Sequence, residues 1–176
     1  LESMKEEKVT KEIGVSNFPL SLLTKVMKDF PISYHERHLS LIWNKTWEEE
    51  KKLPIKTITY SPGGFGLLGG KYSLSNPPDD ERKTIKALSS PLFPCRLENI
   101  NELKDKYGTS QYSIALSWVI AMEPWAIIRG AGKEKDFDID IVSMEIDEIN
   151  QLTKIATEIT SAFNQDNVFS HNWLLQ

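Results

Sequence analysis

Several things are scarce in this chain of 176 residues, and each scarcity removes a class of function. Lys and Arg number 21 against 25 Asp and Glu, for a formal charge of −4 and a pI near 5.5. Binding a polynucleotide relies on clustered cations that displace counterions, so no nucleic-acid partner is expected. The single cysteine, Cys95, has no partner for an intrachain disulfide. With three histidines it cannot complete a structural zinc set, so no metal is expected and a reducing, cytoplasmic compartment fits. No run approaches the roughly 20 apolar residues that cross a bilayer, and no basic-then-apolar leader is present, so no membrane partner is expected. The opening Leu1-Glu2-Ser3-Met4 resembles the back of a polar helix without a cap, which points to a true N-terminus elsewhere.

What is present is enough hydrophobic content, 40%, for one core. Short apolar or alternating runs predict strands near 12–16, 32–39, 55–60 and 125–128. Between them, helical spacing of Leu22, Leu23, Val26, Met27 and Phe30 predicts a helix from Pro19 to Phe30, and Thr46 to Lys52 is helix-prone. Ser61 to Pro78, rich in Gly, Pro, Ser and Asn, predicts a long loop of functional type. Two short helices are expected around a Pro91–Pro94 break, the second over Glu98–Tyr107. Thr109 is the expected N-cap of a helix with Tyr112, Ala115, Leu116, Val119 and Ile120 on one apolar face. Ile146, Ile149, Leu152, Ile155 and Ile159 mark a last helix. The expected domain runs over 1–163, with an irregular tail over 164–176. Strands alternating with helices give an α/β fold with a parallel sheet, either a small doubly wound domain or half of an eight-stranded barrel.

Several motifs fail on inspection. Gly64-Phe65-Gly66-Leu67-Leu68-Gly69 has the spacing of a dinucleotide fingerprint, but no helix can start cleanly in the Gly70 to Pro78 segment that follows. The Gly70-Lys71 pair lacks the rest of a P-loop. Gly14-Val15-Ser16 is no nucleophile elbow, because Phe18 stands where the second glycine belongs. His35 and His38, three apart on a strand, point to opposite faces and cannot share a metal. They are expected to be solvated or hydrogen-bonded strand residues. Glu36 and His38 share a face, where a structural polar pair is expected.

Four motifs in order carry a family resemblance: Gly14-Val15-Ser16-Asn17-Phe18; Tyr60-Ser61-Pro62 with its Gly-rich Leu-Leu-x-Gly-Lys-Tyr continuation; the Tyr107 to Trp118 pattern Tyr-Gly-x-Ser-x-x-x-x-Ala-Leu-x-Trp; and Ile128-x-Gly130-Ala131. The chain resembles the aldo-keto reductases from Val9 to about Ile159. The resemblance implies parallel strand–helix repeats forming the C-terminal half of a TIM-type (β/α)8 barrel, its fifth to eighth strands. It also implies an NADP (NADPH) cofactor and a small-molecule carbonyl substrate. In such a site Ser16 and Asn17 would bond the nicotinamide carboxamide and Tyr60 would stack on the ring. Ser61, Gly63, Gly64 and Gly66 would wrap the pyrophosphate, and Gly130 would belong to the last strand's cofactor-side end.

Departures accompany the resemblance. The family glutamine that completes the carboxamide contacts falls at Glu36, which accepts but does not donate when ionised. The basic residue for the 2′-phosphate falls at Gly132, with Lys133 beside it, and Arg129 replaces a proline. A Glu-Asn pair falls at Ile139 and Asp140. The family's acid–base tetrad belongs to the first four strands, so no catalytic residue is assigned here. The expected entity is a fragment, inactive alone, that pairs with an N-terminal half-barrel or self-associates. The alternative is a non-catalytic scaffold or regulatory subunit of the same fold.

Overall fold

The computed structural model describes residues 2–73, 75–134 and 138–161. The expected division at residue 163 and the 164–176 tail lie outside them. Four strands form: β1 (Ile13–Ser16), β2 (Ile32–His38), β3 (Lys56–Tyr60) and β4 (Ala126–Ile128). They pair in parallel in chain order, β1-β2-β3-β4. That order decides between the two architectures. A doubly wound sheet reverses its order at a switch point, whereas a barrel adds each strand to the same growing edge. The sheet is therefore a partial barrel. Among the described residues, the outer edges of β1 and β4 have no neighbouring strand.

The helices are α1 (Glu2–Glu6), α2 (Leu20–Asp29), α3 (Trp47–Glu50), α4 (Phe93–Tyr107), α5 (Gln111–Ala121) and α6 (Ile146–Ser161). Three depart from the sequence expectation for identifiable reasons. Helix α4 begins at Phe93 rather than Glu98, because Pro94 sits in the first turn, where its missing N–H costs nothing. Its other end is closed by Gly108 in the left-handed region, φ 62°. Helix α5 is capped by Ser110, not Thr109: the Ser110 hydroxyl accepts from the Ser113 amide at 3.0 Å.

Nor does α5 present a single apolar face. Every residue from Ser113 to Val119 is buried, whereas Ile120 is exposed. A helix enclosed on nearly all sides must satisfy its polar groups internally. Ser117 Oγ accepts from the Val142 amide at 3.0 Å, and Trp118 Nε1 donates to Thr153 Oγ1 at 2.9 Å. Of the expected face on α2 only Leu23 is fully buried, and Leu22 and the flanking Phe30 are exposed.

The core lies on the helix side of the sheet. Leu39, Leu41, Ile42, Trp43 and Trp47 after β2 meet Leu67 and Leu68 from the Gly-rich segment and the inner faces of α4, α5 and α6. Strand alternation sends His35, Arg37, Thr57 and Ile127 toward this layer and leaves Glu36, His38, Ile58 and Tyr60 on the concave face.

A buried ionic cluster ties α3 to the sheet. Glu50 is 1% exposed. Its carboxylate lies 2.6 Å from His35 Nδ1, accepts from Arg37 Nη1 at 2.6 Å and accepts from Thr57 Oγ1 at 3.2 Å. Arg37 also donates to Thr46 Oγ1 and to the Lys45 carbonyl. Burial alone would raise the Glu50 carboxyl, but the His35 hydrogen bond and the Arg37 charge outweigh it and hold the group below its ordinary value.

Candidate functional site

The carboxyl ends of β1, β2 and β3 bring together residues far apart in sequence. Asn17, just after β1, and Ser61, just after β3, have φ of 57° and 53°, and Phe65 has 58°. Left-handed backbone is costly for non-glycine residues and gathers where the chain is re-aimed for function, so three such residues at one sheet end mark the place. The Asn17 amide donates to the Glu36 carbonyl at 2.8 Å and so ties the turn to β2.

Side chains then link across the strands. The Tyr60 hydroxyl donates to Asn17 Oδ1 at 2.7 Å, and Asn17 Nδ2 donates to Ser16 Oγ at 3.0 Å. These two bonds fix the Asn17 amide, its oxygen toward Tyr60 and its nitrogen toward Ser16. What remains is the Ser16 O–H and the second Asn17 amide hydrogen as donors. Glu36, which pairs in register with Ser16, adds an acceptor. That set fits a primary carboxamide, which offers one carbonyl and one NH₂. Burial chiefly, with a smaller push from the Glu36 charge, raises the Tyr60 phenol above its ordinary value despite the Asn17 bond.

His38 stands behind this network. It is buried, stacked on Tyr60 with ring centroids 5.7 Å apart and tilted against Phe65 at 4.7 Å. His38 is therefore not solvated; it is an aromatic prop for Tyr60. Burial, helped by the Arg37 charge, pulls it down to about 3, so it is neutral at physiological pH. His35 does point to the opposite face, as expected, and is bonded to Glu50 rather than solvated. The Glu36–His38 polar pair does not form.

The Gly-rich segment divides into two kinds of position. Gly63 and Gly64 are buried. A Cβ at Gly63 would sit 2.6 Å from Tyr112 Cε2, and one at Gly64 would sit 2.9 Å from Ile42 Cδ1. Close packing against the Tyr112 ring requires the glycine at Gly63, and the left-handed backbone, φ 58°, favours it at Gly64. Gly66 is exposed with φ 90° and borders Arg82, whose Nη1 would lie 3.6 Å from a Cβ there. Among the described residues of this loop, one short 3-10 turn, Gly64–Gly66, forms and no α-helix starts, in keeping with the rejected dinucleotide fingerprint. Gly130 and Lys133 follow β4 on an exposed stretch, and nothing lies within 4 Å of a Cβ built on Gly130.

Sequence reasoning did not single out Arg82, and it took Lys71 only as part of a rejected P-loop and of the Gly-rich motif. Arg82 is clamped by the Asp80 carboxylate, donates to the Phe65 carbonyl at 3.5 Å and lies over the Tyr72 ring at 5.2 Å. Lys71 Nζ lies over the same ring at 5.0 Å. Together they set two cations beside the Gly66 turn. Cationic residues bracketing a polar loop were the available signal. Among the described residues no group of His, Cys, Asp and Glu could hold a metal ion, and no helix is long and apolar enough to cross a membrane.

This geometry can be set beside known proteins. Residues 1–160 match the Aldo/keto reductase family. The chain belongs to that family. Aldo-keto reductase str7 of Strobilurus tenacellus is 27% identical over 150 residues, covering 80% of this chain and 43% of its own length. The chloroplastic pyridoxal reductase of Arabidopsis thaliana is 29% identical over 130 residues, 68% of this chain and 36% of its own. Among solved structures, the glycerol dehydrogenase of Gluconobacter oxydans superposes with a TM-score of 0.70 at 20% identity, over 89% of this chain and 52% of that one. The NADP complex of a Bombyx mori aldo-keto reductase gives 0.60 at 18% identity, over 88% and 47%. At such identity the structural likeness speaks for the fold. The chain spans about half the length of these aldo-keto reductase relatives, or less.

Proposed function

We propose that this chain is the C-terminal half of an NADP-dependent aldo-keto reductase, supplying strands five to eight of the barrel and part of the cofactor site for reduction of an aldehyde or ketone to an alcohol. The observation that carries the reading is the Ser16–Asn17–Tyr60 network at the carboxyl ends of sequentially ordered parallel strands. Barrel enzymes build their sites at that face.

When bound, the dinucleotide supplies the hydride. Ser16 and Asn17 hold the carboxamide and so fix the rotation of the ring. Tyr60, propped by His38, offers a flat face that limits which side of the ring is open. Gly66, Lys71 and Arg82 receive the phosphates, with Lys133 toward the 2′-phosphate. The proton for the carbonyl oxygen comes from the other half of the barrel, since no residue of this network is placed as its donor. The raised Tyr60 phenol is already committed to Asn17.

The two unpaired sheet edges favour association with a complementary N-terminal half or with a second copy. An assay of the chain with NADPH and a generic aldehyde should give no turnover above background. Clear turnover would refute the assignment of the chemistry to the other half. The non-catalytic scaffold reading draws on Glu36, Gly132 and Ile139, and saturable NADPH binding by the chain would count against it.

A further inference from the structure

We infer that the Glu36 carboxylate makes this site discriminate between the two redox states of the nicotinamide, holding the oxidised form more tightly than the reduced one; this rests on the cofactor reading given above. Glu36 lies in the middle of the site. On β2 it pairs with Ser16 on one side and Ile58 on the other, and it shares the concave face with His38 and Tyr60. Its charge is felt at the Tyr60 phenol, the proposed seat of the ring.

At Tyr60 the Arg37 charge opposes that of Glu36 but is the smaller of the two. Arg37, the adjacent cation, is spent on Glu50 across the sheet. His38 is neutral. Lys56, lower on the concave face, donates to the Tyr34 hydroxyl and sits over the Tyr34 and Trp125 rings. Among the described residues the Glu36 carboxylate accepts no hydrogen bond and forms no ion pair. It is half-buried, so water screens it only in part.

The two cofactor forms differ by one hydride, so they are nearly the same shape while the oxidised ring carries one more positive charge. A neutral glutamine would treat them alike, whereas a carboxylate does not. A unit charge a few ångström away in a partly wet site shifts such an equilibrium by about tenfold. For a two-electron couple tenfold corresponds to a midpoint lower by about 30 mV. The carboxylate also accepts from the carboxamide NH₂, so the change from glutamine keeps a hydrogen bond while adding the charge.

The test is calorimetric titration of the chain with NADP+ and, separately, with NADPH, in low salt, for the wild type, Glu36→Gln and Glu36→Asp. The ratio Kd(NADPH)/Kd(NADP+) should fall about tenfold in Glu36→Gln, mainly through weaker NADP+ binding. It should be largely kept in Glu36→Asp and should shrink for the wild type as salt is raised. Equal ratios in the wild type and Glu36→Gln would overturn the inference while leaving the cofactor site standing. Failure of every protein to bind either nucleotide would instead overturn the cofactor reading, and this inference with it.

Discussion

Arg96 should destabilise the fold it sits in. The side chain is 0% exposed on the core face of α4, between Phe93 and Ile100. One guanidinium nitrogen donates to the Leu152 carbonyl of α6 at 2.5 Å, while Nε and Nη1 have no partner. Burial pulls the group down to about 9, a penalty of several kcal/mol on the charged form. Among the described residues no carboxylate pairs with it. Replacing buried charge with an apolar side chain of similar reach typically gains about 1–4 kcal/mol, so Arg96→Met should raise stability by that amount.

Urea denaturation at neutral pH is the assay. With an m-value of about 2 kcal/mol/M, the midpoint should rise by roughly 0.5–2 M. The pH dependence adds a second check. Because the folded value lies below the unfolded one, the unfolded chain binds more protons above pH 9, so wild-type stability gains relative to the variant as pH rises past that point. The gap between the two proteins should therefore narrow in alkali. A less stable Arg96→Met variant, or a gap unchanged from neutral pH to well above 9, would refute the reasoning.

Two further substitutions probe the site's supports. Glu50→Gln removes the carboxylate that pairs with buried Arg37 and should cost about 3–5 kcal/mol in chemical denaturation. Since the folded Glu50 value is depressed, its contribution is fully present above the ordinary carboxyl value of 4.5 and is lost as pH falls through the folded value. The gap between wild type and variant should close in acid, and a constant gap would count against the cluster. Gly63→Ala should cost about 1–3 kcal/mol by overpacking against Tyr112. In a double-mutant cycle with Tyr112→Leu, thermal unfolding should show a favourable coupling near 1 kcal/mol or more. Zero coupling would show that the close approach is not the cause.

How much of this was legible in the sequence varies with the range of the interactions. All four strands were, because Pro31, Pro54 and Pro124 lead into three of them, β3 alternates and β4 is a short apolar run, although β2 is unusually polar, and Tyr60-Ser61-Pro62 located the end of β3. The start of α4 was not, since prolines 91 and 94 resemble a break until the first turn is seen to accept one of them. The encirclement of α5 depends on α4, α6 and the segment near Val142, which periodicity within the helix does not reveal. The Ser16–Asn17–Tyr60 constellation was readable only through motif resemblance, because the Tyr60–Asn17 hydrogen bond that closes it crosses 43 residues. His35 and Glu50 are 15 apart, and their meeting follows from sheet register and the placement of α3. Arg96 did leave a trace, since Phe93, Arg96 and Ile100 share one helical face, but helical spacing cannot say that a cation on that face lacks an anion.

The most direct test of the central claim is a titration of the chain with NADPH in the presence of an aldehyde, followed by cofactor fluorescence for wild type and Asn17→Ala. The wild type should bind saturably, Asn17→Ala should bind about tenfold or more weakly, and neither should consume NADPH. Equal binding by both proteins, no binding by the wild type, or steady oxidation of the cofactor would contradict it.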